Sequence, residues 1–239
     1  MAKRGDVAFV ITQSTADVQV LHYIQNTLGF GKVNVQSSTQ RTHRFVVQDL
    51  NNLYLLALLF NGNLVFPLRA AKFQAFLANI NVMLVKRGRP ILAPILETFL
   101  PTLDDSWICG ITDAEGSYSC SILSNSKAYR IRYILTQKGE ANIPVLLHLA
   151  KLFGIRVRVE PHHVKDVFEI RVNGVANCNR ILPYFDNTEL RTHKKDSYMR
   201  FKQMLILLDK QYHLNEELRP ELSKLAKLIN NHSKSSSSS

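Results

Sequence analysis

Apolar positions along the chain follow two spacings, and each spacing predicts a different kind of secondary structure. Apolar residues three or four positions apart predict helices at 16–28, 51–60, 68–83, 142–153, 176–184, 192–212 and 216–230. Alternating apolar and polar residues predict strands at 7–13, 32–36, 44–48, 117–123, 128–137, 156–160 and 167–172. Helices and strands mixed in this way predict an α+β fold.

The predicted elements occur twice in the same order, about 124 residues apart. The matched segments are 11–13 with 135–137, 20–29 with 145–154, 32–35 with 156–159, and 67–69 with 189–191. A duplication of this period indicates a half-domain of helices and strands repeated once, and it does not fit a solenoid.

Proline, glycine and charge divide the chain further. We expect a first repeat at 1–85, a basic, proline-containing linker at 86–104, a second repeat at 105–232 and a serine-rich tail at 233–239. The linker assignment depends on Lys86-Arg87-Gly88-Arg89-Pro90, which is followed by Pro94 and Pro101. The tail is of low complexity, and we expect it to be mobile.

The segment 106–116 predicts a short helix that ends in an acid. Ser106 is the expected N-cap, and the small residues Cys109, Gly110 and Ala114 leave little bulk along one side. A second helix could therefore approach this side at close to backbone contact. Glu115 stands at the end of the helix, and Gly116 frees the backbone to turn into a strand.

This segment resembles the LAGLIDADG motif of homing endonucleases and related intron maturases. The resemblance extends over nearly the whole chain and implies the single-chain form of the family, in which tandem αββαββα half-domains form a saddle of antiparallel β-sheets. It implies that Gly110, Asp113 and Ala114 lie at the helix interface, with Asp113 as a structural acid. It also implies that Glu115 binds the catalytic metal, Mg²⁺.

The same resemblance implies a lysine near Leu190-Arg191-Thr192 that polarises the attacking water. The repeat alignment puts His193 at this position, and a shift of one residue puts Lys194 there. We keep both as candidate catalytic residues beside Glu115.

The repeat also predicts where a second acid would lie. Glu115 is 20 residues before Leu135, so its counterpart would be 20 residues before Ile11, upstream of Met1. We therefore expect a first half that is truncated at its N-terminus and lacks the first motif helix. A single carboxylate cannot assemble the pair of metal sites that family nucleases place between two helix ends.

Three functions are compatible with this pattern. In the first, the chain is a nuclease derivative kept for binding, without cleavage and without a cofactor. In the second, a separately encoded N-terminal fragment supplies the missing acid, and the pair is a Mg²⁺-dependent, site-specific DNA endonuclease. In the third, the chain is an unrelated basic domain of helices and strands.

The charge of the chain favours a polyanionic partner. Its formal net charge is +11 and its pI is about 9.7, which suits nucleic acid; an anionic membrane surface is the competing interpretation. The alternation in the strands places Arg130 and Arg132 on one face, opposite Tyr129, Ile131 and Tyr133. The candidate nucleic-acid-binding residues are Arg44, Gln48, Ser117, Ser119, Arg130, Arg132, Lys138, Arg156, Arg158, Arg171, Arg191, Lys194 and Lys195. The alternative is an ordinary solvated sheet face.

The basic residues at 191–195 open a predicted helix, where positive charge is unfavourable, and we expect a nearby phosphate to explain them. The pair His162-His163 has no third ligand at zinc spacing, so we expect no metal there.

The expected partner is RNA in preference to DNA, because the maturase branch of the resembled family binds intron RNA and loss of one acid would be harmless to binding. Recruitment to an RNA–protein particle such as the mitochondrial ribosome would bring protein partners as well. We expect no small-molecule substrate and no membrane, since no run of eighteen apolar residues is present. The three cysteines are odd in number and indicate a reduced compartment. We expect the mitochondrial matrix or the chloroplast stroma.

Overall fold

The computed structural model describes residues 7–230 of the chain. The chain divides into two compact units, Met1–Leu100 and Pro101–Ser239. Each unit has an antiparallel sheet with helices packed on one side. The predicted α+β class with antiparallel sheets is therefore confirmed.

Within residues 7–100, the first unit has three strands and three helices. In chain order they are β1 (Phe9–Ser14), α1 (Val18–Leu28), β2 (Lys32–Ser37), β3 (Thr42–Val47), α2 (Leu50–Phe60) and α3 (Pro67–Val85), with a 3₁₀ turn at Thr15–Asp17. The strands lie in the order β1-β3-β2, and both pairs are antiparallel. Phe45 and Leu53 form the core with Leu21 and Ile80.

Local sequence accounts for the ends of these helices. Helix α1 ends at Gly29, whose φ of 74° lies in the left-handed region that glycine tolerates. The carboxylate of Asp49 caps α2 by accepting a hydrogen bond from the N–H of Asn52 at 2.9 Å. Pro67 opens α3, where its missing N–H costs nothing.

The described part of the second unit, residues 101–230, has four strands and five helices. They are α4 (Trp107–Glu115), β4 (Gly116–Ile122), β5 (Tyr129–Lys138), α5 (Ile143–Leu152), β6 (Val159–Pro161), β7 (Val167–Asn173), α6 (Val175–Asn187), α7 (Lys194–Asp209) and α8 (Arg219–Leu228). The strand order is β4-β5-β7-β6. Tyr118 is the centre of the core, where the rings of Tyr133, Phe185, Tyr198 and Phe201 surround it with centroids 5.0–5.9 Å away.

The two sheets share one topology. The order β1-β3-β2 of the first unit repeats as β5-β7-β6 in the second, with α1 and α5 at the matching place in the chain. In the second unit, α4 and β4 precede this pattern and β4 pairs with the outer edge of β5. Among residues 7–100, β1 pairs with β3 on one edge and with no strand on the other.

The predicted linker is partly bound to the first unit. The side chain of Asn81 pairs with both backbone groups of Leu92 at 2.9 Å, and that of Asn61 pairs with Ala93 and Ile95 at 2.8 Å. The guanidinium of Arg89 lies 4.9 Å from the ring centroid of Tyr54. The boundary between the units falls after Leu100, inside the predicted linker.

Several predicted element boundaries were wrong. The strand expected at 156–160 begins at Val159, because its pairing with β7 begins at the register Val159–Ile170. The long helix expected from 192 begins at Lys194, and α6 extends to Asn187. No helix within residues 7–230 combines the length and apolarity that a membrane span requires. The predicted tail, 233–239, lies outside the described residues.

Candidate nucleic-acid interface and acidic helix end

Helix α4 is fixed at its start by buried hydrogen bonds. The carboxylate of Asp105 accepts from the N–H of Trp107 at 2.9 Å, and Tyr184 Oη donates to the carbonyl of Asp105 at 2.9 Å. The same hydroxyl accepts from the N–H of Cys109 at 2.9 Å. Ser106 was expected to cap the helix, but its side chain makes no cap hydrogen bond; Asp105, one residue earlier, takes that place.

The sides of α4 differ in their surroundings. Ile108, Cys109 and Thr112 are buried in the core, and Thr112 shares a 2.8 Å hydrogen bond with the hydroxyl of Tyr133. Gly110 and Ala114 are exposed, and a Cβ added at Gly110 would meet no described atom within 4 Å. Gly110 and Ala114 therefore leave room for the close approach that was expected of a second helix, whereas Cys109, expected on the same side, packs into the core.

Gly116 serves the end of α4 in a different way from the one expected. Its φ is −75°, which any residue adopts, so conformational freedom is not the reason for a glycine. A Cβ at this position would lie 2.7 Å from Thr112 Cγ2 and 2.9 Å from the Thr112 carbonyl oxygen. The glycine is needed because β4 leaves the helix in close contact with its last turn.

The end of α4 is bound to the start of α7 through Asp113. Its carboxylate accepts from the N–H of Arg191 at 2.8 Å, from the N–H of Thr192 at 3.0 Å and from the hydroxyl of Thr192 at 2.6 Å. Lys194 Nζ donates to the carbonyl of Thr112 at 3.0 Å. A positive charge beside the last carbonyls of a helix is favourable, so Lys194 stabilises this end.

Glu115 is exposed at the same helix end. Magnesium in proteins is held by one or two carboxylates, with waters and substrate phosphates completing the shell, so Glu115 fits as a single ligand. No group of three or more His, Cys, Asp or Glu side chains within residues 7–230 could hold a metal by itself. A metal at Glu115 would therefore need ligands from elsewhere.

The basic residues at the start of α7 have acidic partners. Lys195 Nζ lies 3.0 Å from Glu189 Oε1, and Arg191 Nη1 lies 3.5 Å from Glu189 Oε2. Both cations lower the pKa of the Glu189 carboxyl. A phosphate is therefore not needed to explain the charges of Arg191 and Lys195, because Glu189 pairs with both.

The outer face of each sheet is defined here as the side that the helices of the same unit do not cover. In the second unit it carries alternate residues of each strand, opposite the buried Tyr118, Tyr133 and Ile170. These residues are Ser117, Ser119, Ser121, Arg130, Arg132, Ile134, Thr136, Lys138, Glu160, Glu169, Arg171 and Asn173. Most of the predicted binding residues of this unit therefore share one face.

Arg156 and Arg158 stand apart from that set. Both are exposed, but they precede β6 and do not pair in the sheet. They alternate with Val157 and Val159, which pack against the core. Exposed and buried side chains therefore alternate here without strand pairing at Arg156 and Arg158.

The outer face of the first sheet is mostly polar, apart from Val10 and Val46, and within its described strands it carries no acid. Arg44 of β3 lies between Thr12 of β1 and Asn34 of β2, and Lys32 lies beside Val46. Gln48 follows β3 and is exposed. Strand alternation puts Gln13 with Phe9 and Ile11 on the helix side.

Two carboxylates on the outer face of the second sheet were missed from the sequence. Glu160 and Glu169 are register partners across β6 and β7, and Arg171 forms ion pairs with both. Burial, and then the positive charges of Arg130 and Arg171, lower the pKa of Arg132. Strand alternation in β7 contained the signal for Glu169, but its pairing with Glu160 depends on the register, which the sequence did not show.

The sequence of this chain is similar to that of known proteins. Residues 108–205 match the family model described as LAGLIDADG endonuclease. Probable intron-encoded endonuclease 4 of Neurospora crassa is 34% identical over 221 residues, which cover 90% of this chain and 39% of that protein. The chain belongs to the LAGLIDADG endonuclease family.

A further relative and a solved structure are similar to most of this chain. The uncharacterized cox1 intron-2 37.2 kDa protein of Schizosaccharomyces pombe is 21% identical over 227 residues, covering 90% of this chain and 64% of that protein. The LAGLIDADG meganuclease I-AabMI, solved bound to uncleaved DNA, has a TM-score of 0.76 at 20% identity, covering 94% of this chain and 90% of that chain. The chain thus spans less than two thirds of these two curated relatives, and the solved structure supports the fold.

Proposed function

We propose that this chain recognises duplex DNA through the outer faces of its two sheets, as part of a LAGLIDADG endonuclease. The observation that carries the proposal is the composition of those faces. Arg44 in the first sheet, and Arg130 and Arg132 in the second, stand among serine, threonine and amide side chains. Arginines position a protein on phosphates, whereas hydroxyl and amide groups contact base edges.

Duplex DNA fits this surface better than an RNA helix does. The major groove of B-form DNA admits β-strands, whereas that of A-form RNA is deep and narrow. The fold is shared with a meganuclease solved on DNA. The preference for structured RNA, in an intron or an organellar ribosome, stays a prediction, because it rested on the resemblance to maturases and on the expected loss of the first acid, and on no feature of the described faces.

For cleavage, we propose that Glu115 is one of two acidic helix ends. The other would come from a segment outside residues 7–230, on this polypeptide or on a complementary fragment. A Mg²⁺ ion held there would activate water and stabilise the leaving oxygen. Asp113 and Lys194 would keep the Glu115 helix end in place, since both tie α4 to the start of α7. Residues 7–230 by themselves are proposed to bind without cutting.

The name of a relative supports a proposed location for this chain. The Schizosaccharomyces pombe relative is described as a cox1 intron protein. We propose the mitochondrial matrix for this chain; the chloroplast stroma stays a prediction.

A competition experiment tests the proposed function. The full chain is incubated with equal amounts of a randomised duplex DNA library and a randomised structured RNA library, and bound molecules are sequenced over successive rounds. Enrichment of a DNA sequence motif is expected. Enrichment from the RNA library alone would favour the RNA alternative, and enrichment from neither would overturn nucleic-acid recognition.

Cleavage is tested separately on the selected DNA. The chain alone is expected to bind the DNA equally with Mg²⁺ and with a chelator, and to leave it intact. A co-expressed helix–strand segment with a second acidic end is expected to restore Mg²⁺-dependent cutting, and Glu115→Gln should abolish it. Cutting that survives Glu115→Gln would reject the role of this carboxylate.

A further inference from the structure

Two carboxylates lie where a nucleic-acid surface is least expected to carry them. Glu160 of β6 and Glu169 of β7 are direct register partners on the outer face of the second sheet. Like charges directly opposite each other destabilise a sheet. Arg171, two residues along β7, offsets the repulsion: its Nη1 lies 2.8 Å from Glu160 Oε2, and its Nη2 contacts Glu169 Oε1.

The members of this Glu160–Arg171–Glu169 triad differ in exposure. The Glu169 side chain is 3% exposed, so it cannot reach a ligand. The side chains of Arg171 and Glu160 are 35% and 51% exposed and can. Glu169 therefore holds the guanidinium from below, and Glu160 and Arg171 present an acceptor and a donor side by side.

The charge of the triad favours one class of contact over another. Two carboxylates and one guanidinium give the triad itself a formal charge of −1, so it suits a phosphate less well than a free arginine does. A group suited to the triad offers an acceptor to Arg171 and a donor to Glu160. Base edges do this: guanine O6 and N7 accept from arginine, and the cytosine N4 amino group donates to a carboxylate.

We propose that the triad reads a G·C base pair in the major groove, with Arg171 donating to guanine and Glu160 accepting from cytosine. The proposal rests on the proposed recognition of duplex DNA. Glu169 is a positioning residue, because it fixes the arginine without touching the base pair. An arginine held on two sides loses less side-chain freedom on binding than a free one does.

Arg132 lies beside the triad on the neighbouring strand. Its Nε atom is a buried donor that has no hydrogen-bond partner among the described residues. Arg132 pairs in register with Asn173, and Arg171 pairs with Ile134, so the two arginines occupy adjacent rows of the same face. Arg132 as a whole is half-buried, so it adds a second cation on the row next to Arg171.

The test is binding-site selection with the full chain and a randomised duplex DNA library. Wild type, Glu160→Gln and Glu169→Gln are compared, with Glu221→Gln on α8 as the matched control, since Glu221 is exposed and pairs only with Lys224 among the described residues. Glu160→Gln should reduce the preference for one G·C base pair by about tenfold and leave the other positions unchanged. Glu169→Gln should change the same base pair to a smaller extent, and the control should change none.

The outcomes separate the two proposals. A motif that Glu160→Gln leaves unchanged, or weakens equally at every position, overturns the reading of a G·C pair while DNA recognition stands. A change at an A·T pair overturns it as well. A wild-type protein that selects no motif from the duplex library overturns both.

Discussion

Replacing Asp113 tests how the end of α4 is held against the start of α7. Asp113 accepts three hydrogen bonds, two at Oδ1 from Thr192 and one at Oδ2 from the N–H of Arg191. Asparagine keeps one acceptor oxygen, so it retains the Thr192 contacts but opposes an NH₂ group to the N–H of Arg191. A hydrogen bond to a charged group contributes about 1.5–3 kcal/mol, so we expect Asp113→Asn to cost about 2 kcal/mol.

Alanine at the same position removes all three hydrogen bonds. Thr192 is 5% exposed, so water cannot fully replace its lost acceptor. We therefore expect Asp113→Ala to cost about 3 kcal/mol, more than asparagine does. Asp104→Asn is the control, because that side chain is exposed and a surface substitution stays within about 0.5 kcal/mol.

The assay is urea denaturation followed by tryptophan fluorescence. Trp107 is the only tryptophan of the sequence and is the first residue of α4, so its signal reports on the second unit. The free energy of unfolding is obtained by linear extrapolation for each variant. If the free energies of unfolding of both Asp113 variants lie within about 0.5 kcal/mol of wild type, the Asp113 carboxylate does not hold α4 against α7.

Three further predictions concern the second unit. Thr112→Val should lower the free energy of unfolding by about 2 kcal/mol, because it leaves the buried Tyr133 hydroxyl unpaired. Adding Tyr133→Phe should recover part of that loss, and additive losses in a double-mutant cycle would contradict this. Gly116→Ala should cost about 1–3 kcal/mol by urea denaturation, because its Cβ would clash with the last turn of α4; an unchanged stability would be inconsistent with the contact. Burial raises the pKa of Asp186, but hydrogen bonds from Lys202 and Tyr198 outweigh it and hold that pKa below its ordinary value. The loss of unfolding free energy caused by Asp186→Asn should therefore be largest at neutral pH and shrink below about pH 4. A loss that does not change with pH would argue against this.

Periodicity was sufficient for most of the fold. The alternation in β5 placed Arg130 and Arg132 opposite Ile131 and Tyr133, and the structure has the same two faces. The repeat observed in the sequence corresponds to the shared strand order of the two sheets. These features were predictable because strand alternation and helical spacing are local properties of the chain.

Features that depend on contacts between distant residues were not predictable. The pairing of Glu160 with Glu169 is set by the register of β6 and β7, and the anchoring of residues 92–95 by Asn61 and Asn81 depends on tertiary packing. Glu189 pairs with Arg191 and Lys195, for which the sequence alone suggested a phosphate partner. In each case a polar side chain finds its partner only after the fold brings the two together.

If duplex DNA binds to the outer faces of the sheets, the arginines of those faces set the salt dependence of its affinity. Affinity for the selected duplex is measured over a range of salt concentrations for wild type, for Arg44→Gln/Arg130→Gln and for a control pair on the helix side, Lys210→Gln/Lys227→Gln. Each lost phosphate contact lowers the slope of log K against log salt by about 0.9, so the outer-face pair should lower it by about 1.8 and the control pair should leave it unchanged. An equal slope for wild type and the outer-face variant, or a lower slope for the control variant instead, would contradict DNA binding by the outer faces.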